Sequence, residues 1–152
     1  MALESSLWDW LKKVRKLTDR IDINRIENSA GAGMPDVEGY VGPVGLNWEH
    51  GEQFWLELKS AKRPARAETP IRFKVRDKQV TWCNRRWSVG GKVFFLCQVG
   101  HGPDRCVYAV PGCLGGELQQ GMTESRLKAV ARNADCYRGR LDPLTVIVSI
   151  LA

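Results

Sequence analysis

A short apolar segment that carries two charged residues constrains the fold of this chain most. The segment is Phe54-Trp55-Leu56-Glu57-Leu58-Lys59. Side chains alternate between the two faces of a strand, so Leu56 and Leu58 are expected on one face and the charged residues on the other. Glu57 and Lys59 are costly to bury unless they pair or hold a metal. The segment therefore predicts a strand with a polar site on one face.

A second carboxylate, Asp36, lies twenty-one residues before Glu57. It begins an alternating segment over residues 36–41 that predicts another strand. If this strand forms a hairpin with the strand at 53–60, Asp36 arrives beside Glu57. Two carboxylates then make an oxygen-ligand site for a hard cation, with Lys59 next to it. Such a site suits hydrolysis of a phosphodiester bond.

Length and composition indicate an ordinary globular chain. The 152 residues, 43% of them hydrophobic, predict one domain over 1–152, with a core at about 3–100 and a C-terminal helix and strand at about 123–150. No apolar run approaches the roughly 18–20 residues that span a bilayer, and the first residues do not resemble a signal peptide. We therefore expect a cytoplasmic protein. Five cysteines without CxxC spacing favour reduced thiols over a zinc site or a disulfide framework.

Hydrophobic periodicity predicts an α/β fold with the core order αβββαβ, in which a mixed central sheet is flanked by helices. Residues 61–75 contain two prolines and show no periodicity, so they are expected to form an exposed loop. The predicted helices are 3–20, 76–87 and 123–137, and the predicted strands are 22–28, 36–41, 53–60, 92–99, 106–110 and 144–150.

Positive charge is concentrated directly after the Glu57-Leu58-Lys59 element. Residues 59–92 hold eleven Lys and Arg against two acids, a local net charge of +9 within a chain of net charge +6. A local basic field is typical of a protein that binds a polyanion, although a solvated loop and helix face is the simpler interpretation. The expected phosphate contacts are Lys62, Arg63, Arg66, Arg72, Lys74, Arg76 and Lys78.

The order of these residues resembles a known superfamily. Asp36, then Glu57-x-Lys59, then Gln79 on the following helix is similar to the PD-(D/E)xK nucleases, whose core has the order αβββαβ. The resemblance covers about residues 20–100. The wider string is similar to the small single-domain nucleases of the VRR-NUC and phage-encoded type; it consists of Arg25-Ile26-Glu27-Asn28, Gly33-Met34-Pro35-Asp36-Val37, Trp55-Leu56-Glu57-Leu58-Lys59 and Gln79-x-x-Trp82.

The resemblance implies a restriction-endonuclease-like core and a Mg²⁺ site, in which Mn²⁺ can substitute. Asp36, Glu57 and the Leu58 backbone carbonyl would ligate the metal, which keeps several waters. Lys59 would position or deprotonate the attacking water and stabilise the transition state. The alternative is that Glu57 and Lys59 form a surface ion pair on a half-exposed strand.

Two further residues are expected at the site on the strength of the resemblance. Glu27 would join the catalytic and metal-binding set, although it could instead pair with Arg25. Gln79 would face the site and hydrogen-bond the attacking water or a phosphate, although it could instead pack on Trp82.

The function expected from these features is a Mg²⁺-dependent endonuclease that hydrolyses nucleic acid, with DNA favoured over RNA. Small size favours selectivity for structure, as in Holliday-junction resolvases or nicking enzymes, and cutting two strands favours a homodimer. A sequence-specific restriction-type endonuclease is one alternative. A non-catalytic nucleic-acid-binding module with a nuclease-like fold is the other.

Overall fold

The computed structural model describes residues 3–26, 32–42, 51–133 and 142–151. Within these ranges five strands form one sheet, and their order in the sheet follows the chain. β3 and β4 are parallel, and the other three neighbouring pairs are antiparallel. The strands are β1 (Ile21–Arg25), β2 (Val37–Val41), β3 (Glu52–Ala61), β4 (Lys92–Val99) and β5 (Cys106–Pro111). The predicted mixed sheet and the predicted hairpin of the second and third strands are confirmed.

Helices cover both faces of this sheet, as predicted for the α/β class. In the described ranges the α-helices are α1 (Leu3–Leu11), α2 (Val14–Leu17), α3 (Asp77–Ser88), α4 (Gly115–Gln120), α5 (Glu124–Val130) and α6 (Pro143–Leu151). α3 connects β3 to β4, which is the crossover that a parallel pair of strands requires. None of these helices is long and apolar enough to cross a membrane.

A hydrophobic core lies on each face of the sheet. On β4, Phe94 and Leu96 point into the core shared with α1, α2 and α6. The alternating residues Val93, Phe95 and Cys97 point into the core shared with α3, α4 and α5. Each fully buried Leu or Phe side chain contributes about 1.5–3 kcal/mol relative to exposure. β4 is therefore buried on both faces, and it anchors the neighbouring strand β3.

The unequal lengths of β2 and β3 create a gap at one edge of the sheet. β2 pairs with β3 only from Val41 opposite Glu52 to Val37 opposite Leu56. β3 continues to Ala61 and remains paired with β4 on its other side. The edge of β3 that faces β2 is therefore open to other groups from residue 57 onward.

The C-terminal segment is a helix, and the predicted strand at 144–150 is wrong. In α6 the residues Val146, Ile147 and Ile150 are buried while Thr145 and Val148 are exposed, which is helical spacing. A short continuous apolar run does not distinguish a strand from a buried helix. The start signal precedes the run: the Asp142 side chain accepts a hydrogen bond from the Leu144 N–H at 3.0 Å, and Pro143 is the first helical residue.

Two other helix boundaries differ from the prediction. The first helix does not continue to residue 20, because a turn at Lys12-Lys13 separates α1 from α2. The third predicted helix begins as expected, with Thr123 accepting a hydrogen bond from the Arg126 N–H at 3.1 Å, but α5 ends at Val130. α4 was not predicted, since its first two residues are glycines.

The segment predicted as an exposed loop is irregular but partly buried. Ile71, Phe73 and Val75 alternate into the core beneath α3, and the Ile71 backbone pairs with Met122. This alternation places the intervening basic residues on the surface. The segment is therefore anchored to the domain along its second half.

One cysteine departs from the expectation of reduced thiols. Cys106 is disulfide-bonded. Cys83, Cys97 and Cys113 are free, and the first two are buried.

Candidate active site

β3 places a carboxylate and an ammonium inside the core beneath α3. Glu57 is 2% exposed and Lys59 is 7% exposed. Their neighbours on β4 are Phe95 and Cys97, both fully buried. The alternative of a half-exposed surface ion pair is therefore wrong. Burying two charges in such surroundings costs several kcal/mol per ion unless hydrogen bonds and a partner compensate.

Asp36 reaches this pair through the gap left by the short strand β2. Its Oδ2 atom accepts a hydrogen bond of 2.9 Å from the Leu58 N–H, and its backbone carbonyl accepts one of 2.7 Å from Ile26. The N–H and C=O of a strand residue point to the same side of the strand. The Leu58 carbonyl therefore opens on the same edge as the Asp36 carboxylate, as a shared ligand set requires.

The Glu57 carboxylate is only half satisfied. Oε1 accepts a hydrogen bond of 2.6 Å from Gln79 Nε2 and lies 3.3 Å from Lys59 Nζ. Oε2 is buried and has no hydrogen-bond partner within the part of the chain that the structure describes. Burial, and secondly the nearby Asp36 carboxylate, raise the pKa of Glu57 to about 8, against the opposing effect of Lys59. Burial in this core therefore disfavours the ionised form of the Glu57 carboxyl group.

The Lys59 ammonium is held by three oxygen atoms. Nζ donates to the Lys74 backbone carbonyl at 2.6 Å and to Gln79 Oε1 at 3.1 Å, and it also lies near Glu57 Oε1. The three donors of an ammonium are matched by these three acceptors. The irregular segment at 61–75 thus contacts the buried lysine through a main-chain atom.

Gln79 joins the carboxylate to the ammonium. It lies in the first turn of α3, where its Oε1 atom also accepts a hydrogen bond of 3.0 Å from the Arg76 N–H. Two donors thus face Oε1 and a carboxylate faces Nε2, which assigns the amide orientation. The structure places the Gln79 amide in contact with both Glu57 and Lys59.

The residues present fit a hard cation. An unsatisfied buried carboxylate oxygen, a second carboxylate close enough to raise the pKa of the first, and a carbonyl at the same edge are the donors that Mg²⁺ prefers. Among the described residues, no group of three or more His, Cys, Asp or Glu side chains could hold a metal ion. The set of donors therefore relies on Asp36, Glu57, the Leu58 carbonyl and waters. Glu27, also expected here, lies outside the described residues.

The basic residues expected to contact phosphate divide into two groups. Arg63 is engaged internally: it makes a bidentate pair with Glu124 at 2.9 and 3.1 Å and donates to the carbonyls of Asp104 and Val99. These contacts hold the start of the segment at 61–75 against α5. The other expected contacts are exposed, and they are Lys62, Arg66, Arg72, Lys74, Arg76 and Lys78.

Two features of the site were not predicted. Gln119 Nε2 donates to the Val75 carbonyl at 2.9 Å and to Asp77 Oδ1 at 2.7 Å, which fixes the turn that leads into α3. Gly33 has φ of +91°, and a Cβ there would collide with the Lys78 carbonyl, so its glycine permits the turn before Asp36 to touch α3. Gln119 carries no local sequence signal. The glycines at 31 and 33 predict a turn before Asp36, but they do not predict its contact with α3.

Comparison with known proteins adds no assignment to this geometry. The chain matches no protein-family model, and no curated protein matches it in sequence.

Proposed function

We propose that this protein is a Mg²⁺-dependent nuclease that hydrolyses phosphodiester bonds of nucleic acid, with DNA as its expected substrate. The observation that carries the proposal is the cluster of half-buried Asp36 with buried Glu57, Lys59 and Gln79, in which Glu57 Oε2 has no hydrogen-bond partner among the described residues. Most buried polar atoms in proteins have a hydrogen-bond partner, so an unpaired carboxylate oxygen beside a second carboxylate is a position that a cation would satisfy. The PD-(D/E)xK resemblance of these residues supports the same conclusion.

Each residue has a role that follows from its contacts. Asp36 and Glu57 would hold Mg²⁺ together with the Leu58 carbonyl. A bound Mg²⁺ supplies Lewis-acid chemistry, since it lowers the pKa of a coordinated water and neutralises charge on the phosphate. Lys59 would place positive charge beside the reacting phosphate. Gln79 fixes the positions of the Glu57 carboxylate and the Lys59 ammonium relative to each other through its two hydrogen bonds.

The exposed basic residues extend the site across the surface. Phosphate contacts of this kind set affinity and position, and they do not read sequence. We therefore propose selectivity for nucleic-acid structure, as in a junction-resolving or nicking enzyme. Cutting two strands needs two active sites, which a homodimer would supply. We expect the protein to act in the cytoplasm, where its substrate lies. Sedimentation in the absence of nucleic acid tests whether the protein is a dimer.

Cleavage of a labelled substrate panel tests the proposal. The panel contains a duplex, a single strand, a nicked duplex, a flap and a four-way junction, each incubated with Mg²⁺, Mn²⁺ or EDTA. We expect metal-dependent cutting that Asp36→Ala and Lys59→Ala both abolish. Cutting that persists in both variants would contradict the proposed site. Binding without cutting of any substrate would instead favour a non-catalytic binding module.

A further inference from the structure

A second cationic feature lies beside the candidate site, on the adjacent face of α3. A cleft of about 500 Å³ is lined by the residues Ala32, Lys78, Thr81, Trp82, Arg85 and Arg86, and it ends at Val89. Three of these side chains are cationic and none is acidic. The volume falls in the range of sites that hold small organic ligands, about 300–1,000 Å³. The lining thus combines an aromatic ring with positive charge.

The aromatic wall of the cleft is held in place by stacking. The Arg86 guanidinium lies 4.7 Å from the centroid of the Trp82 ring and 5.6 Å from that of Trp55, and the two rings meet edge to face at 5.3 Å. A Cβ at Gly91 would lie 2.6 Å from Arg86 Cγ, so this glycine makes room for the arginine stem. The wall is therefore ordered before a ligand arrives, which lowers the entropic cost of binding.

The cleft begins at the candidate active site. Lys78 precedes Gln79 in α3, and Ala32 precedes the Gly33 turn that leads to Asp36. A helix rises about 1.5 Å per residue, so the cleft extends roughly 16 Å along α3 from Lys78 to Val89. Stacked nucleotides of one strand are about 3.4 Å apart. The cleft can therefore accommodate a few nucleotides that leave the site.

We propose that this cleft binds unpaired nucleotides of the substrate strand next to the position of cleavage, an assignment that rests on the proposed function for its choice of ligand. The cations Lys78 and Arg85 contact the phosphates. A base stacks on the Trp82 ring or on the Arg86 guanidinium plane. Bases within a duplex are already stacked on both faces, so only unpaired bases gain this contact. The preferred substrate is then a duplex that carries a single-stranded extension.

Equilibrium binding in EDTA tests the cleft without any turnover. Three ligands with equal numbers of phosphates are compared: a blunt duplex, a duplex with a three-nucleotide extension, and the same duplex with an abasic extension. Stacking is worth about 1–3 kcal/mol per base, which is roughly a fivefold to hundredfold change in affinity. We expect the natural extension to bind at least about fivefold more tightly than either of the other ligands.

Two variants connect this preference to the cleft. Trp82→Leu should remove the preference and leave the affinity for the blunt duplex unchanged. Arg85→Ala, at an exposed position where folding is not at risk, should weaken binding of the extended duplex more than that of the blunt one. The control Lys16→Ala removes one exposed cation from α2, and any decrease in binding affinity should be equal for all three ligands.

Equal binding of the natural and abasic extensions would overturn the proposal, as would equal effects of Trp82→Leu on all three ligands. A wild-type protein that shows Mg²⁺-dependent cutting but no preference for the natural extension overturns the cleft alone. Retention of the preference in a protein that never cuts overturns the proposed function alone.

Discussion

Gln79 Nε2 donates a hydrogen bond of 2.6 Å to Oε1 of Glu57, across the twenty-two residues that separate them in the chain. The same amide accepts from Lys59 Nζ and from the Arg76 N–H through its oxygen. One side chain in the first turn of α3 therefore fixes both Glu57 and Lys59 of β3. The contact holds a buried carboxylate in one orientation, and no described residue hydrogen-bonds its second oxygen.

Replacement of Gln79 should damage both stability and activity. Gln79→Ala removes hydrogen bonds to Glu57 and to the Lys59 ammonium, and a bond to a charged group is worth about 1.5–3 kcal/mol, so the free energy of unfolding should fall by an amount of that order. If Glu57 and Lys59 are no longer held in their relative positions, the cleavage rate constant should fall by about tenfold to hundredfold. Denaturant unfolding and single-turnover cleavage measure the two effects.

Gln120→Ala is the matched control for this variant, because Gln120 is exposed at the end of α4. It should change neither quantity. If Gln79→Ala behaves like Gln120→Ala, the proposed positioning role is wrong.

Stability of the metal-free protein should fall as pH rises. The pKa of Glu57 is raised from 4.5 to about 8, first by burial and then by Asp36. Between these two values the folded state keeps a proton that the unfolded state releases, so folding is favoured at the acidic end and this advantage is lost towards pH 8. The expected loss is on the order of a few kcal/mol. Denaturant unfolding in EDTA from pH 5 to pH 8.5 measures it.

Glu57→Gln carries no titrating proton at this position and should show a flatter profile over the same range. A wild-type profile that rises with pH, or one that matches the variant, would contradict the assigned protonation of Glu57.

The Glu57–Lys59 pair should show strong coupling at high pH. Lys59→Met leaves a buried carboxylate without its cation, and breaking such a pair costs about 3–5 kcal/mol. We expect this loss at pH 9, where Glu57 is ionised in the wild type. The double variant Glu57→Gln/Lys59→Met should regain most of the stability but none of the cleavage activity. Additive losses in the unfolding free energy would show that the two groups do not interact as described.

Gly33 should be sensitive to the smallest added side chain. Gly33→Ala places a Cβ against the Lys78 carbonyl and also strains a φ of +91°. Gly90 has a similar φ of +86°, but a Cβ there meets nothing within 4 Å. Gly90→Ala should therefore show only the strain of about 1–3 kcal/mol, whereas Gly33→Ala should lose more and also displace Asp36. Thermal unfolding and cleavage of the two variants would be measured side by side. Equal losses of stability and of cleavage activity in Gly33→Ala and Gly90→Ala would contradict this account.

Local pattern predicted the elements that carry the charged residues of the site. Alternation in β2 and β3 and the spacing of Asp36 and Glu57 were enough to bring two carboxylates together, because a hairpin leaves few registers. The helical nature of α6 was missed because a continuous apolar run fits a strand equally well. Asp142-Pro143 is a helix start signal, but the apolar composition of the residues after it favours a strand.

Contacts between distant segments were beyond the reach of the sequence. The carbonyl of Lys74 at the Lys59 ammonium and the amide of Gln119 at Val75 depend on how separate elements pack. Neither residue type is unusual at its position. The alternation of Ile71, Phe73 and Val75 into the core was visible, but two prolines and several charges concealed it.

Metal affinity and cleavage, measured on the same samples, test the central claim most directly. Calorimetric titration with Mn²⁺ at pH 8 would be followed by single-turnover cleavage in Mg²⁺, using wild type, Asp36→Asn and the surface control Lys16→Ala. We expect wild type and Lys16→Ala to bind the metal and cut, and Asp36→Asn to lose both properties. Asp36→Asn that binds Mn²⁺ and cuts as well as the wild type would contradict the assignment of this buried cluster as a metal-dependent active site.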